Sequence, residues 1–248
     1  MRRRLDAELV RRGLAPSRER ARADIAAGRV TVGGAPAAKA SRLVAPEEPL
    51  RIAGEGPRFV SRGGEKLDAA LDHFDIDVAG RAALDAGAST GGFTDCLLQR
   101  GAARVVAVDV GRGQLHERIR HDPRVVVLER TNVRNLTPSQ LAGERFPVVT
   151  ADLSFISLRT VASNLVGLAA PGGDLIVLVK PQFEAGRAEV SRGRGVIRDA
   201  DVWDRTLAEV GAAFVTEGSD MMGTMRSPLT GADGNVEFLM HLRTPEVG

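Results

Sequence analysis

Leu84-Asp85-Ala86-Gly87-Ala88-Ser89-Thr90-Gly91-Gly92-Phe93-Thr94 is an apolar run that closes on an acid and opens into a glycine-rich turn. An apolar strand that stops at such a turn ahead of a helix lets backbone N–H groups approach a ligand, with the positive end of the helix behind them. A second apolar run, Val105-Val106-Ala107-Val108, ends in Asp109, 24 residues after Asp85. At that spacing doubly wound folds place a carboxylate on the ribose hydroxyls of an adenosine. The pattern predicts a nucleotide-like ligand on the loop, against the plain alternative of a tight turn that binds nothing.

The chemistry of the turn separates two ligand classes. A dinucleotide fingerprint, G-x-G-x-x-G, offers uncluttered N–H groups to a pyrophosphate, whereas here Asp85 precedes Gly87. A carboxylate repels a diphosphate and attracts the sulfonium and ammonium groups of S-adenosylmethionine in a partly dry cleft. There is no G-x-x-x-x-G-K-[ST] stretch, so a phosphate-cradling loop of that kind is not indicated.

With 248 residues, 43% of them hydrophobic, the chain suffices for one substantial core and a small appendage. A single cysteine, Cys96, excludes an intrachain disulfide and a cysteine-rich metal site, and no metal is expected. No N-terminal apolar segment reads as a signal peptide. Stretches such as Leu175-Ile176-Val177-Leu178-Val179 are strand-sized, far short of the roughly 20 residues of a membrane helix. A cytoplasmic protein with no membrane partner is therefore expected. The oligomeric state stays open, with a monomer favoured. Net charge is +2, but residues 1–60 hold 13 Lys or Arg against 7 Asp or Glu, leaving 21 against 25 for the remainder. The N-terminal surplus of +6 points that segment at a polyanion.

Residues 2–12 read as a helix with Leu5, Leu9 and Val10 on one face and Gly13 as its stop. Pro16-Ser17 opens a second helix over 18–27, with Ser17 as N-cap and Gly28 at its end. Short strands follow around Val30-Thr31-Val32 and Leu50-Arg51-Ile52, with turn chemistry at Gly33-Gly34. Arg18, Arg20, Arg22 and Lys39 are expected on one surface, where each phosphate they neutralise releases counterions. An arginine-rich solvated face is the plain alternative. No aromatic precedes Phe59, which disfavours base stacking on a single strand and favours structured RNA read by phosphate and shape. The pattern Arg4-Leu5-Asp6, Leu9-Val10, Ser17-Arg18-x-x-Ala21 and Gly28-Arg29-Val30-Thr31-Val32-Gly33-Gly34 resembles the S4-like RNA-binding domain of ribosomal small-subunit protein four, pseudouridine synthases and tyrosyl-tRNA synthetases. That resemblance implies binding to folded RNA and adds Arg4 to the candidate cations.

Beyond a linker at 53–60, residues 61–248 alternate strand and helix signals: Ala82-Ala83-Leu84, a helix after Gly92, Val105 to Val108, a helix near Leu115 to Ile119, Val125 to Leu128, Val148 to Ala151, a helix near Leu158 to Leu168, and Leu175 to Val179. Ahead of them an amphipathic helix carries Leu67, Ala70, Leu71 and Phe74 on one face, with Lys66 near its start. The fold class expected is α/β, a Rossmann-like doubly wound sheet after a small α+β domain over 1–52. Ligands in such sheets bind at the carboxyl ends of strands, where Asp109, Asp152 and Lys180 all fall. A lysine closing the apolar run 175–179 is unusual, since lysine is almost never fully buried unpaired. A salt bridge to Asp152 explains it structurally. Functionally, a lysine whose pKa is lowered by burial or a second cation accepts the proton of a ribose 2′-hydroxyl as its oxygen attacks a methyl group. Lys66 is the candidate second cation, and Glu237, in an expected C-terminal strand, a candidate acid.

Val60-Ser61-Arg62-Gly63-Gly64-Glu65-Lys66-Leu67, the stretch Asp85 to Thr94, Glu129-Arg130-Thr131-Asn132, Ala151-Asp152-Leu153-Ser154-Phe155-Ile156-Ser157, Val179-Lys180-Pro181-Gln182-Phe183-Glu184 and Ser227-Pro228-Leu229-x-Gly231-x-x-Gly234-Asn235-Val236-Glu237 together resemble the TlyA family, also labelled hemolysin A. The resemblance implies an S-adenosylmethionine-dependent rRNA 2′-O-methyltransferase acting on cytidines of 16S and/or 23S rRNA in ribosomal subunits, with an FtsJ-like catalytic domain. It carries the family's Lys-Asp-Lys-Glu tetrad onto Lys66, Asp152, Lys180 and Glu237. It also implies that Gly87, Ser89, Gly91, Gly92 and Phe93 line the cofactor loop with Asp85, that Asp109 holds the ribose and that Asn132 lies near the adenine. Arg62 joins the RNA-contacting cations. Arg112 stands where the family commonly has an aromatic, and the stretch from Val190 to Met225 reads as short, with a trimmed helix around Val202 to Val210. A membrane-active haemolysin and a non-catalytic ribosome-binding factor remain as rival readings.

Overall fold

The computed structural model describes residues 2–15, 17–54, 57–193, 195–231 and 233–246, with the side chains of 187, 188 and 192 outside the described set. The chain divides into two compact units, Met1–Arg58 and Phe59–Gly248.

In the first unit β1 (Arg3–Arg4) precedes α1 (Leu5–Arg11), α2 (Arg18–Ala26), β2 (Val30–Val32), β3 (Ala35–Pro36), β4 (Leu43–Val44) and β5 (Leu50–Ile52). The first helix is shorter than the expected 2–12, because Arg3 and Arg4 pair with Val44 and Leu43 as a strand. Pro16, expected to open the second helix, lies outside the described residues. Ser17 caps α2 as expected, its hydroxyl accepting from the backbone N–H of Arg20 at 3.2 Å. Leu5, Leu9, Ala21 and Ile25 bury one face of each helix against Val30, Val32 and Val44, forming a small core of their own.

The second unit begins earlier than the linker reading placed it. Phe59 is buried among core residues, and the N–H of Val60 donates to Asp95 at 2.8 Å. Its elements are α3 (Arg62–His73), β6 (Ala82–Ala86), α4 (Gly92–Gln99), β7 (Arg104–Val108), α5 (Glu117–Arg120), β8 (Val125–Leu128), β9 (Phe146–Ala151), α6 (Ala162–Leu168), β10 (Ala169–Val179), α7 (Pro181–Glu184), α8 (Arg187–Arg192), α9 (Ala200–Thr216), β11 (Asp220–Arg226) and β12 (Phe238–Arg243). The helix expected near 115–119 is the single turn α5. The one expected over 158–168 is split, a 3-10 turn at Leu158–Thr160 preceding α6. The helix expected to be trimmed is α9, seventeen residues long.

Among the described residues the strands form a seven-stranded sheet in the order β11-β12-β10-β9-β6-β7-β8. The five from β10 to β8 are parallel, while β12 runs antiparallel to β10 and β11 antiparallel to β12. The sheet is therefore mixed, with an antiparallel pair at one edge. From β6 the chain proceeds outward to β7 and β8 and then returns through β9 to the other side. This order reversal between β6 and β9 leaves a crevice at the strands' carboxyl ends.

Strand side chains alternate between two helical layers, as a period of two requires. Leu84, Val106, Val149, Val177 and Val179 pack with Leu165, Leu168, Val210 and Phe214 of α6 and α9. Ala83, Val105, Val148, Ile176, Leu178 and Leu239 pack with Leu67 and Leu71 of α3 and Leu97 and Leu98 of α4. Two positions along from Ala83 and Leu178 and two back from Leu239 lie Asp85, Lys180 and Glu237, and four along from Val148 lies Asp152. All four thus belong to the face covered by α3 and α4.

Candidate active site

Four charged side chains meet at the carboxyl end of the sheet as two ion pairs. Lys180 directly follows β10, and its ammonium lies 2.6 Å from Asp152 Oδ1 and donates to Ser154 Oγ at 2.9 Å. Lys66, on the buried face of α3, donates to Glu237 Oε2. Glu237 sits one residue before β12 rather than within it. Since Val179 pairs with Phe238, the antiparallel register sets Lys180 beside Glu237 on neighbouring strands. Lys66, Lys180 and Glu237 are each at least nine-tenths buried, and Asp152 retains a quarter of its side-chain surface. Charges so nearly dry persist because each has its counter-charge in contact.

Two cavities open on this cluster. The larger, about 670 Å³, is walled by Gly87, Ser89, Asp109, Asn132, Asp152 and Phe155, among others. The smaller, about 110 Å³, is lined by Ser61, Lys66, Gly92 and Phe93. They share Gly87, Ser89 and Asp152. Gly87 has φ +84°, and a Cβ there would stand 2.4 Å from the carbonyl oxygen of Asp152. Only glycine permits that approach, which brings the β6 turn against the end of β9. Gly92 serves a similar purpose between helices, since a Cβ there would lie 2.2 Å from Ser61 Oγ at the start of α3.

Asp109 organises the loop. Its Oδ2 accepts from the N–H of Ser89 at 2.8 Å and its Oδ1 from that of Gly111 at 2.6 Å, so the carboxylate is fixed at the cavity wall. Asn132 is also on the wall, its Oδ1 accepting from the N–H of Arg134. Phe93 is a core residue that shows one edge to the smaller cavity, and Gly91 packs behind the loop at the start of α4, lining neither cavity.

Asp85 departs from expectation. It lies inside β6 rather than past its end, so its side chain is covered by α4, has no exposed surface and lines neither cavity. There its Oδ2 accepts from Thr94 Oγ1 at 2.6 Å and its Oδ1 from Thr150 Oγ1 at 3.3 Å. It caps the first turn of α4 and ties that helix to β6 and β9. Burial pushes its carboxyl up to about 7, and the nearby charge of Asp152 adds to the rise. It is therefore removed from the set facing a cationic ligand.

Two further residues bear on the site, Phe155 on the cavity wall and Glu184 behind it. Phe155, 92% exposed and at φ +66°, stands at the rim of the larger cavity with its ring 5.2 Å from that of Phe183. Its position in the quoted stretch after Asp152 was visible, but its left-handed backbone was not. Glu184, buried at the end of α7, joins the segment after Lys180 to the one after Asp152. It accepts from Ser157 Oγ at 2.5 Å and from the N–H of Leu158 at 2.7 Å. Burial pushes the Glu184 carboxyl upward against these bonds.

The candidate RNA-contacting cations are not on one surface. Arg18 and Arg22, one helical turn apart, both reach Asp6, as does Arg4. Arg20, two positions along α2 and hence on another face, pairs instead with Asp24. Lys39 is exposed in the loop between β3 and β4. Arg62 in the second unit is exposed and donates to the carbonyl of Thr230 at 2.7 Å.

Comparison with known proteins places both units. A model of the FtsJ-like methyltransferase family matches residues 59–244, and one of the S4 domain matches residues 3–50. The chain is 52% identical to the 16S/23S rRNA (cytidine-2′-O)-methyltransferase TlyA of Mycobacterium tuberculosis over 97% of its own length and 90% of that protein's. It is 37% identical to Hemolysin A of Brachyspira hyodysenteriae, covering 96% and 98% of the two chains. A solved structure from Streptococcus thermophilus, described as a hemolysin, superposes with a TM-score of 0.77 at 38% identity, over 99% of this chain and 90% of that one. Among the described residues no helix is long and apolar enough to cross a membrane.

Proposed function

This chain belongs to the TlyA family of FtsJ-like methyltransferases, and from that premise we propose that it methylates the ribose 2′-oxygen of a cytidine in 16S and/or 23S rRNA, using S-adenosylmethionine. The observation that carries this reading is the pair of ion pairs, Lys180–Asp152 and Lys66–Glu237, of which Asp152 lines both cavities and Lys66 the smaller. The larger cavity has the volume of a nucleoside-sized ligand. Its donor set suits S-adenosylmethionine: Asp109 for the ribose hydroxyls, Asn132 toward the adenine, and the Gly87 turn where side chains would block approach. Bound there, S-adenosylmethionine supplies a methyl group activated by the adjoining sulfonium.

The smaller cavity, between Lys66 and Asp152, accepts the target ribose. Lys180 Nζ, held by Asp152 and Ser154, orients the 2′-hydroxyl; its ammonium passes a proton to the paired Asp152 carboxylate and takes the hydroxyl proton in its place, as the oxygen bonds to the methyl carbon and the carbon–sulfur bond breaks. Lys66, fixed by Glu237, supports the opposite side of the sugar. Holding the oxygen in line with the methyl group contributes on the order of several kcal/mol. The S4 domain docks folded rRNA, with residues 1–52 as that domain and the unit that begins at Phe59 as the catalytic one. The reaction takes place in the cytoplasm, where ribosomal subunits are found.

The test is transfer of tritiated methyl from S-adenosylmethionine to separated 30S and 50S particles from an unmodified strain, followed by nucleoside analysis. Wild type is expected to yield 2′-O-methylcytidine. Lys180→Ala is expected to retain S-adenosylmethionine affinity by calorimetry and to lose transfer. Undiminished transfer by that variant overturns the assignment of Lys180.

A further inference from the structure

Asp6 has no exposed surface, yet it is the meeting point of three guanidinium groups from two segments, Arg4 of β1 and Arg18 and Arg22 of α2. Its Oδ1 accepts from Arg4 Nε at 3.1 Å, and its Oδ2 accepts from Arg4 Nη2 at 3.2 Å, Arg18 Nη2 at 3.0 Å and Arg22 Nε at 3.1 Å. The carboxylate is completed by the N–H of Ala7 on Oδ1. Burial pushes the Asp6 carboxyl up, but the hydrogen bonds from Arg4, Arg18 and Arg22 outweigh it and hold the group well below the usual carboxylate range.

The three arginines are not consumed by this contact. Their side chains remain 45%, 51% and 57% exposed, and each guanidinium has five N–H donors, of which Asp6 takes one or two. Among the described residues no other ion pair or hydrogen bond engages them. Glu8 offers an internal contrast. It also binds two arginines, but its Arg12 is only 20% exposed and spends its remaining donors on the carbonyls of Ala45, Pro46 and Glu48. Glu8 clamps the fold, whereas Asp6 holds a cationic cluster of net +2 toward solvent.

We propose that Asp6 is a positioning residue for RNA docking, presetting Arg4, Arg18 and Arg22 as a rigid three-guanidinium receptor for backbone phosphate oxygens. This rests on the reading of the first unit as the RNA-docking domain. Free arginine side chains lose rotamer freedom when they engage a phosphate. Here much of that ordering is already met in the free protein, and the planar forks stand ready for bidentate contacts.

The inference predicts an effect opposite in sign to simple charge counting. Asp6→Asn raises the net charge of the unit, which by Coulomb attraction alone tightens binding to RNA. If Asp6 acts by presetting the arginines, affinity falls by about tenfold or more. The experiment is equilibrium binding of the full chain to 30S and 50S particles at several salt concentrations, with the melting temperature measured alongside. Asp6→Asn is expected to bind more weakly while keeping the slope of log affinity against log salt, since the same cations still meet the same phosphates. A flattened slope identifies loss of the domain itself and overturns the positioning role.

Arg18→Lys and Arg22→Lys provide a second arm at exposed positions that leave the core untouched. Each keeps its charge but loses the fixed fork, and each is expected to weaken binding several-fold. Wild-type affinity in both lysine variants, or equal or tighter binding by Asp6→Asn, refutes the proposal. Paired charge reversal, Arg18→Glu with Arg22→Glu, separates the two levels of the argument. If that variant also binds as wild type, the RNA-docking reading of the unit fails. If it weakens while the others do not, only the role of Asp6 fails.

Discussion

Replacing Asp85 by Asn should make the catalytic unit more stable at neutral pH and remove part of its pH dependence. In the folded chain burial pushes the Asp85 carboxyl up to about 7 from an ordinary value of 3.8. Between those values the unfolded chain gives up its proton while the folded chain keeps it, so stability falls as pH rises. Below 3.8 both states are protonated and the penalty is absent; above 7 it is complete. Each unit of displacement is about 1.4 kcal/mol, which gives a total of roughly 4 kcal/mol at pH 8. About 2 to 3 kcal/mol of it develops between pH 5 and pH 8. Asn cannot ionise, yet its carbonyl can accept from Thr94 and its amide can donate to the Thr150 hydroxyl, so the cap on α4 survives. Urea unfolding of both proteins at pH 5, 6.5 and 8 measures the difference. The sole tryptophan, Trp203, lies on α9 and reports this unit. The advantage of Asp85→Asn over wild type should widen with pH by the amount stated. A difference that stays flat, or narrows, refutes the argument from burial.

Two further outcomes follow from packing. Gly87→Ala places a methyl group 2.4 Å from the Asp152 carbonyl at a backbone φ of +84°. It should cost about 2 to 4 kcal/mol of stability and lower both S-adenosylmethionine affinity and methyl transfer, seen by calorimetry and the tritium assay. Phe214→Ala empties a fully buried site where α9 meets the sheet and should cost about 3 to 5 kcal/mol in urea titrations, leaving affinity for S-adenosylmethionine in the folded protein near wild type.

Much of the site was legible because it depends on strand ends. The apolar run into Gly87 and the lysine closing the run at 179 mark where strands stop, and strand ends in a parallel sheet point at the crevice. Asp152, Lys180 and Glu237 then share a face through simple alternation, lying four residues after Val148, two after Leu178 and two before Leu239. Alternation puts Asp85 on that same face, but Asp85 lies inside β6 rather than past its end, where Thr94 and Thr150 hold it; a strand covered on both faces gives no polar side to read, so chemistry alone suggested a ligand where a helix cap stands. What stayed illegible depends on distant pairing. Arg3 and Arg4 become a strand only because residues 43 and 44 arrive beside them. Arg20 separates from Arg18 and Arg22 because helical positions two apart do not face each other. The break after Leu158–Thr160 follows the turn that Glu184 secures from a different element.

The order in which the chain supplies its four central charges has a temporal consequence. Lysine 66 and its carboxylate partner are separated by 171 residues, and the acid arrives on the threshold of the final strand. During synthesis, everything through Lys180 emerges first, and the earlier lysine waits without its counter-ion until β12 inserts beside β10. Completion of the four-charge cluster is thus coupled to closure of the sheet. A polypeptide halted or clipped before that insertion would carry the Gly87 crevice with Lys66 still lacking Glu237.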